Sequence, residues 1–243
     1  MEISLAPNVT IDQSFEPFVC NFVNISESVY RGKTKLDAPL LEREFTHCKC
    51  NRNILMPDYS GLTVAFIKNF GTTFNVLERC SDPECVIKFD EMKNKASKKS
   101  LEIFKTENCG WGLRTKDTIY SYEYICEYVG ELWLEKEYPD ERSGLYSFSV
   151  ENNNCKFIYD SEKEGNFSRM INHSCNPNAI GVFCCFRDDL RYKGKKIPQL
   201  GIFAGNGIIE AGKEIFIDYS EKYFVDGFKC LCGNDNCVSK KKE

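Results

Sequence analysis

From Leu101 onward the hydrophobic positions fall in short runs separated by polar or glycine-bearing breaks, the texture of strands rather than helices. Residues 101–104 predict a strand that runs into a turn at 108–112, Asn-Cys-Gly-Trp-Gly. Residues 122–129 are rich in aromatic and β-branched side chains and predict another. Residues 138–144, Tyr-Pro-Asp-Glu-Arg-Ser-Gly, predict a loop. Residues 145–150 and 156–160 predict strands around a polar turn at 151–154. Residues 181–186 and 200–203 predict a pair across the charged loop 187–196, and residues 213–219 a last strand. Residues 1–47 are weakly periodic, with an extended segment expected at 16–24. No internal repeat and no long amphipathic pattern breaks this picture. The expectation is a mainly β domain from about 101 to 225 with cysteine-bearing flanks.

Composition adds three bounds. The chain has 243 residues, 42% hydrophobic and 13% aromatic, enough to bury a core. No stretch approaches 18 apolar residues, and the start has neither a basic cluster nor an apolar run, so neither a membrane span nor a secretory signal is expected. A net charge of -4 argues against a dominant nucleic-acid footprint and suits a basic peptide partner. Lysine runs at 193–196 and 240–242 leave direct DNA contact as the weaker expectation.

The chemistry concentrates in a few places. Residues 166–177, Asn-Phe-Ser-Arg-Met-Ile-Asn-His-Ser-Cys-Asn-Pro, mix Arg169, Asn172 and His173 with apolar neighbours in a turn-rich dozen. Fourteen cysteines without a secretory signal read as metal ligands or reduced thiols rather than disulfides. With only two histidines, zinc would be mostly thiolate-bound. Cys230-x-Cys232-x4-Cys237 offers three ligands, and Cys175 would need its co-ligands from afar. Cys48-x-Cys50 and Cys80-x4-Cys85 could close a second zinc site with four thiolates; scattered buried cysteines are the equal alternative.

Gly110-Trp-Gly112, Glu127-Tyr-Val-Gly-Glu131, the Asn-His-Ser-Cys-Asn-Pro run at 172–177, Asp218-Tyr219 and the final cysteine triplet occur together, in order. Together they resemble the SET-domain protein lysine methyltransferases, in particular the branch that modifies histone H3 at lysine 9. The resemblance covers residues 101–238 well and 15–95 loosely. It implies a SET fold with a C-terminal pseudoknot, in which the 166–177 stretch and the Asp218-Tyr219 strand cross. It implies three regions: a degenerate pre-SET-like segment at 1–100, the SET catalytic domain at 101–225 and a post-SET zinc segment at 226–243. The implied cofactors are S-adenosylmethionine and zinc. Gly110, Trp111, Gly112, Tyr146, Arg169, Asn172 and His173 are the implied cofactor contacts, Tyr219 the principal catalytic residue and Tyr128 a second channel tyrosine. Cys175, Cys230, Cys232 and Cys237 match the family's C-terminal zinc site. The five cysteines before residue 100 depart from the pattern, because relatives carry a larger multi-zinc cluster there. Ile217 stands two before Tyr219, where relatives have Phe or Tyr; this predicts a roomier channel that permits di- or trimethylation. The implied partners are a histone H3 tail, docked as an extended strand, and chromatin; the implied location is the nucleus. The alternative readings are a SET-fold binding or scaffold protein of chromatin with impaired catalysis, a methyltransferase of another histone or non-histone lysine, and a small zinc-bearing nucleic-acid binder.

Overall fold

The computed structural model describes residues 5–14, 21–33, 75–78, 98–152, 155–185, 199–224 and 228–240, with the backbone alone for 75–78, 151–152, 183–185 and 221–222. The expected zinc ligands Cys48, Cys50, Cys80 and Cys85, and the lysine run at 193–196, lie outside the described residues. Among the described residues the architecture is almost wholly β, and no helix is long and apolar enough to cross a membrane.

Fourteen strands follow one another: β1 (Val9–Ile11), β2 (Val23–Asn24), β3 (Val29–Tyr30), β4 (Asn75–Glu78), β5 (Leu101–Lys105), β6 (Trp111–Thr115), β7 (Tyr124–Tyr128), β8 (Gly130–Leu134), β9 (Ser147–Asn152), β10 (Cys155–Gly165), β11 (Asn172–His173), β12 (Ala179–Cys185), β13 (Gln199–Ala204) and β14 (Phe216–Ile217). They form four sheets, ordered β1-β5-β6, β2-β10-β8-β3 with β9 also on β10, β4-β12-β13-β7, and β11-β14. Leu101, Ile103, Leu113, Leu132, Phe157, Tyr159, Ile171, Leu200 and Ile202 fill the core between them. The antiparallel pair expected from residues 181–186 and 200–203 is present, with Gly181 opposite Ile202.

Three departures from the sequence expectation have local causes. Trp111 and Gly112 belong to β6 rather than to the turn, because Lys105 pairs with Trp111 and Phe104 with Gly112. The turn closes earlier, where the Thr106 amide and hydroxyl both donate to the Gly110 carbonyl at 2.8 and 3.0 Å and Gly110 adopts φ +74°. Tyr122, expected in a strand, sits at φ +62° in the turn before β7. Of residues 213–219 only Phe216–Ile217 forms a strand. The rest is held by other partners: the Ile215 amide donates to the Leu113 carbonyl, and the Asn178 amide group bonds both the Glu214 carbonyl and the Phe216 N–H at 2.8 Å.

β10 organises the largest sheet. Its first half pairs with β9 and its last two residues with β2 on the same side, while β8 lies along the other. A register shift between Asp160 and Gly165 bends it. Gly130 makes the bend possible, since a Cβ there would lie 2.6 Å from the Asp160 carbonyl oxygen. Loop 138–144 is pinned to this sheet by a buried ion cluster. Arg142 reaches Glu131 at 2.5 Å and Asp160 at 3.1 Å, and the Tyr138 hydroxyl donates to Asp160 at 3.0 Å. These groups are almost fully buried, so each charge depends on the other. The cluster fixes where Leu145 and Tyr146 leave the loop.

Candidate functional site

The site grows from one crossing. Asn172 and His173 run parallel to Phe216 and Ile217, segments 44 residues apart in sequence, and the Ser174 amide donates to the Ile217 carbonyl. This is the pairing expected of the pseudoknot. The stretch before it is a 3-10 turn, Phe167–Met170, capped by the Asn166 side chain, which accepts from the Ser168 amide at 3.0 Å. The turn buries Arg169 to 4% exposure.

Asn172 ties the crossing to β6. Its Nδ2 donates to the Trp111 carbonyl at 3.1 Å and to Glu214 Oε1 at 2.9 Å. Two acceptors on the nitrogen fix which way the amide points. Gly112 lies against this pair: a Cβ would meet Glu214 Oε1 at 2.6 Å and Asn172 Nδ2 at 3.1 Å. The second glycine of Gly-Trp-Gly is therefore required by the protein's own packing. Burial raises the Glu214 carboxyl above the ordinary range, with the Asn172 bond opposing.

Two phenols face inward. Tyr219 Oη donates to the Ile171 carbonyl at 2.5 Å, and Tyr128 Oη donates to the Tyr146 carbonyl at 2.8 Å. Burial pushes both well above the ordinary tyrosine range, and the Tyr219 phenol feels Tyr128, Tyr223 and Tyr146 as electrostatic neighbours. Both rings thus stay neutral, each with its proton committed to a carbonyl and its oxygen lone pairs left to accept. Tyr223 packs edge-on to Tyr219 at 4.9 Å and Phe224 against His173 at 4.7 Å. Phe228 stacks on Tyr223 at 5.9 Å. Ile217 is buried at 2% exposure within the core. Arg169 lies between the rings of Tyr146 and Phe22, at 3.8 and 4.2 Å from their centroids. Its Nε and Nη1 are buried and bond to no group among the described residues.

The sulfur cluster adjoins the crossing. The ligand atoms of His173, Cys175, Cys230 and Cys232 all lie within 4.8 Å of one another. Cys175 and Cys230 Sγ are 3.7 Å apart, close to the ~3.8 Å edge that a tetrahedron with Zn–S bonds of ~2.3 Å requires. Burial pushes the Cys232 thiol up, but the Cys175 amide and Asn234 donate to it, and the balance lies below the ordinary thiol range. The cluster can therefore hold a zinc ion. Expected ligand Cys237 is buried nearby, its thiol aimed at the Cys230 carbonyl at 3.6 Å.

His173 takes the place beside Cys175, with Nε2 3.2 Å from its sulfur. Its other nitrogen, Nδ1, accepts the Tyr219 amide at 3.0 Å. Burial lowers its pKa, with Asp218 opposing, so the ring is neutral and its single proton sits on Nε2. Nε2 thus donates to the Cys175 sulfur, while Nδ1 is held by the Tyr219 amide.

The sequence thus indicated Tyr219, Tyr128, Tyr146, Arg169, Asn172 and His173, and the structure brings them to one place. It did not indicate Glu214, Asn178, Phe22 or Tyr223. Glu214 had no flag but its place in a predicted strand, and Phe22 none but its place in the extended segment expected at 16–24.

With this geometry in hand, comparison with known proteins is direct. Residues 110–220 match the family model of the SET domain. They form a SET domain. The variant-silencing SET domain-containing protein of Plasmodium falciparum (isolate 3D7) is 29% identical over 96% of this chain and 9% of its own length. Histone-lysine N-methyltransferase SUV39H2 of Mus musculus is 35% identical over 59% of this chain and 30% of its own. The chain therefore spans less than a third of the length of these relatives. The structure of Arabidopsis thaliana SUVH6 in complex with SAM superposes with a TM-score of 0.61 at 23% identity, covering 93% of this chain and 51% of that one. The SET domain holds both the phenol pair and the Asn172-His173 crossing, while the cysteine triplet and Phe22 lie outside its matched residues.

Proposed function

We propose that this chain transfers methyl groups from S-adenosylmethionine to the side-chain amine of a protein lysine, and that its substrate is the tail of histone H3 at lysine 9. Tyr219 and Tyr128 are the catalytic residues. The observation that carries the reading is the pair of neutral phenols, Tyr128 buried and Tyr219 partly buried, whose protons are spent on the Ile171 and Tyr146 carbonyls. When bound, S-adenosylmethionine supplies a methyl already activated on a positively charged sulfur. The protein then has to orient and desolvate rather than form a covalent intermediate.

The phenol oxygens accept from the incoming amine and from polarised C–H groups, individually weak contacts that act together. A lysine has a pKa of ~10.4, so well under ~1% is neutral at pH ~7.5. The wall of Tyr219, Tyr223, Tyr128 and Tyr146 disfavours the ammonium by desolvation and raises the neutral share. No general base is needed beyond solvent.

Gly110, Trp111, Gly112, Tyr146, Arg169, Asn172 and His173 form the cofactor site. The unpartnered Nε and Nη1 of buried Arg169 fit that role, since a buried guanidinium without acceptors is costly to keep. Cys175, Cys230, Cys232 and Cys237 hold one zinc, His173 donating to the Cys175 thiolate. Filling the fourth position requires Cys237 to turn its thiol away from the Cys230 carbonyl. The catalytic domain spans 101–225, with the pre-SET-like segment at 1–100 before it and the zinc segment at 226–243 after it. The likeness to SUV39H2, named a histone-lysine methyltransferase, supports a nuclear, chromatin-associated role and a basic tail as partner.

The test is transfer of labelled methyl from S-adenosylmethionine to histone H3 by the purified, zinc-loaded chain. Label should enter H3 and be lost when lysine 9 is replaced by arginine. Equal labelling of that variant would move the target elsewhere; no labelling at all would contradict the activity.

A further inference from the structure

Phe22 stands 147 positions before Arg169 and outside the matched SET residues, yet its ring lies on the Arg169 guanidinium at 4.2 Å. Backbone pairing puts it there. Val23 and Asn24 pair in parallel with Glu164 and Gly165, and the Ile25 amide donates to the Gly165 carbonyl at 2.8 Å. The next residue, Asn166, caps the turn that carries Arg169. The same segment is fastened at its far end. Val29 and Tyr30 pair with Glu131 and Leu132, and Arg31 forms ion pairs with Glu131 at 3.2 Å and Glu164 at 2.5 Å. Residues 21–33 thus strap both outer edges of the β10-β8 pair.

The strap has a consequence for the guanidinium. Arg169 is 4% exposed and, among the described residues, forms no ion pair and has two buried nitrogens, Nε and Nη1, whose N–H groups find no acceptor. What faces it instead is π density on both sides, Tyr146 at 3.8 Å and Phe22 at 4.2 Å. Aromatic faces attract a cation more strongly when water is excluded. They also restrict the plane of the guanidinium, and so the direction in which its free N–H groups point. The Tyr146 half of this clamp comes from the SET domain; the Phe22 half does not.

We propose that Phe22 is a positioning residue of the cofactor site, holding the Arg169 guanidinium against Tyr146 so that its free N–H groups meet the cofactor; this rests on the function proposed above. The strap is then part of the site as well as an edge cover. A SET domain cut from this chain without it lacks one wall of the clamp.

The test compares Phe22→Leu, which keeps apolar bulk but removes the π face, with Phe22→Tyr, which keeps the face. Titration calorimetry of the full zinc-loaded chain with S-adenosylhomocysteine reads affinity, and kcat at saturating cofactor and H3 reads chemistry. Phe22→Leu should weaken binding about tenfold with kcat within about twofold, and Phe22→Tyr should restore affinity to within about twofold. Affinity unchanged in Phe22→Leu would overturn the inference while leaving the proposed function standing. Equal weakening in Phe22→Tyr would overturn it too, because packing rather than the ring face would then be responsible. A wild-type chain that binds no S-adenosylhomocysteine would overturn the proposed function and the inference together.

Discussion

Tyr219 and Tyr128 show how much a single proton's whereabouts decides. Each phenol donates to a backbone carbonyl, so each offers only acceptor lone pairs to whatever enters. Removing the Tyr219 oxygen as Tyr219→Phe should cost about 100-fold in kcat while thermal stability falls little, measured by initial rates beside a melting curve. The pH dependence follows from the direction of the shifts. Both phenols are raised above the ordinary value of ~10 and stay neutral throughout pH 7 to ~9.5. Over that range the substrate lysine gains neutral amine as pH rises. A profile of kcat/KM should climb steadily, and a descending limb below pH ~9.5 in a still-folded protein would contradict neutral phenols. His173 illustrates what the sequence left open. An Asn-His pair announces polar contacts, but which nitrogen holds the proton is set by the Tyr219 amide, 46 residues away. Zinc analysis separates the two roles: Cys237→Ser should lose about one equivalent, whereas His173→Gln should keep it.

Strands and loops were legible where both partners carry an apolar pattern, as in β12 and β13. β8 was not picked out, since its Gly130-Glu131 start breaks the apolar run that would mark a strand, though Glu131 is buried by its ion pair with Arg142. The length of β10 was also hidden, because its polar second half, Ser-Glu-Lys-Glu, continues pairing past a bend that Gly130 permits. β14 is shorter than its apolar pattern suggests because Asn178 and β6 take up the neighbouring backbone groups. Loop 138–144 was readable as a loop but not as a buried anchor. Arg142→Ala leaves fully buried Asp160 with the Tyr138 hydroxyl but no cation, and nearly buried Glu131 with Arg31 alone. Denaturant unfolding should show a loss of about 3–5 kcal/mol, and a loss below about 1 kcal/mol would mean the cluster contributes little.

Taken whole, the molecule joins three stretches that sequence distance keeps apart. The SET core supplies the crossing and the phenols, the tail brings Cys230 and Cys232 beside Cys175, and the strap brings Phe22 onto Arg169. The five expected motifs sit within or beside one site, so the function-bearing part of the fold was largely readable from short runs. The strap was legible only as an extended segment expected at 16–24, of which Val23 and Asn24 form β2, because backbone pairing, one ion-pairing arginine and one ring leave almost no signature. Ile217 is buried, and the sequence expectation ties its position to a channel that admits di- or trimethylation. Tandem mass spectrometry of a histone H3 tail peptide, taken over time with the zinc-loaded chain and S-adenosylmethionine, tests methyl transfer most directly. The expected product carries methyl groups on the lysine 9 amine, passing beyond the monomethyl form to di- or trimethyl-lysine. An unmodified peptide, from a chain that binds both zinc and S-adenosylhomocysteine, would contradict it.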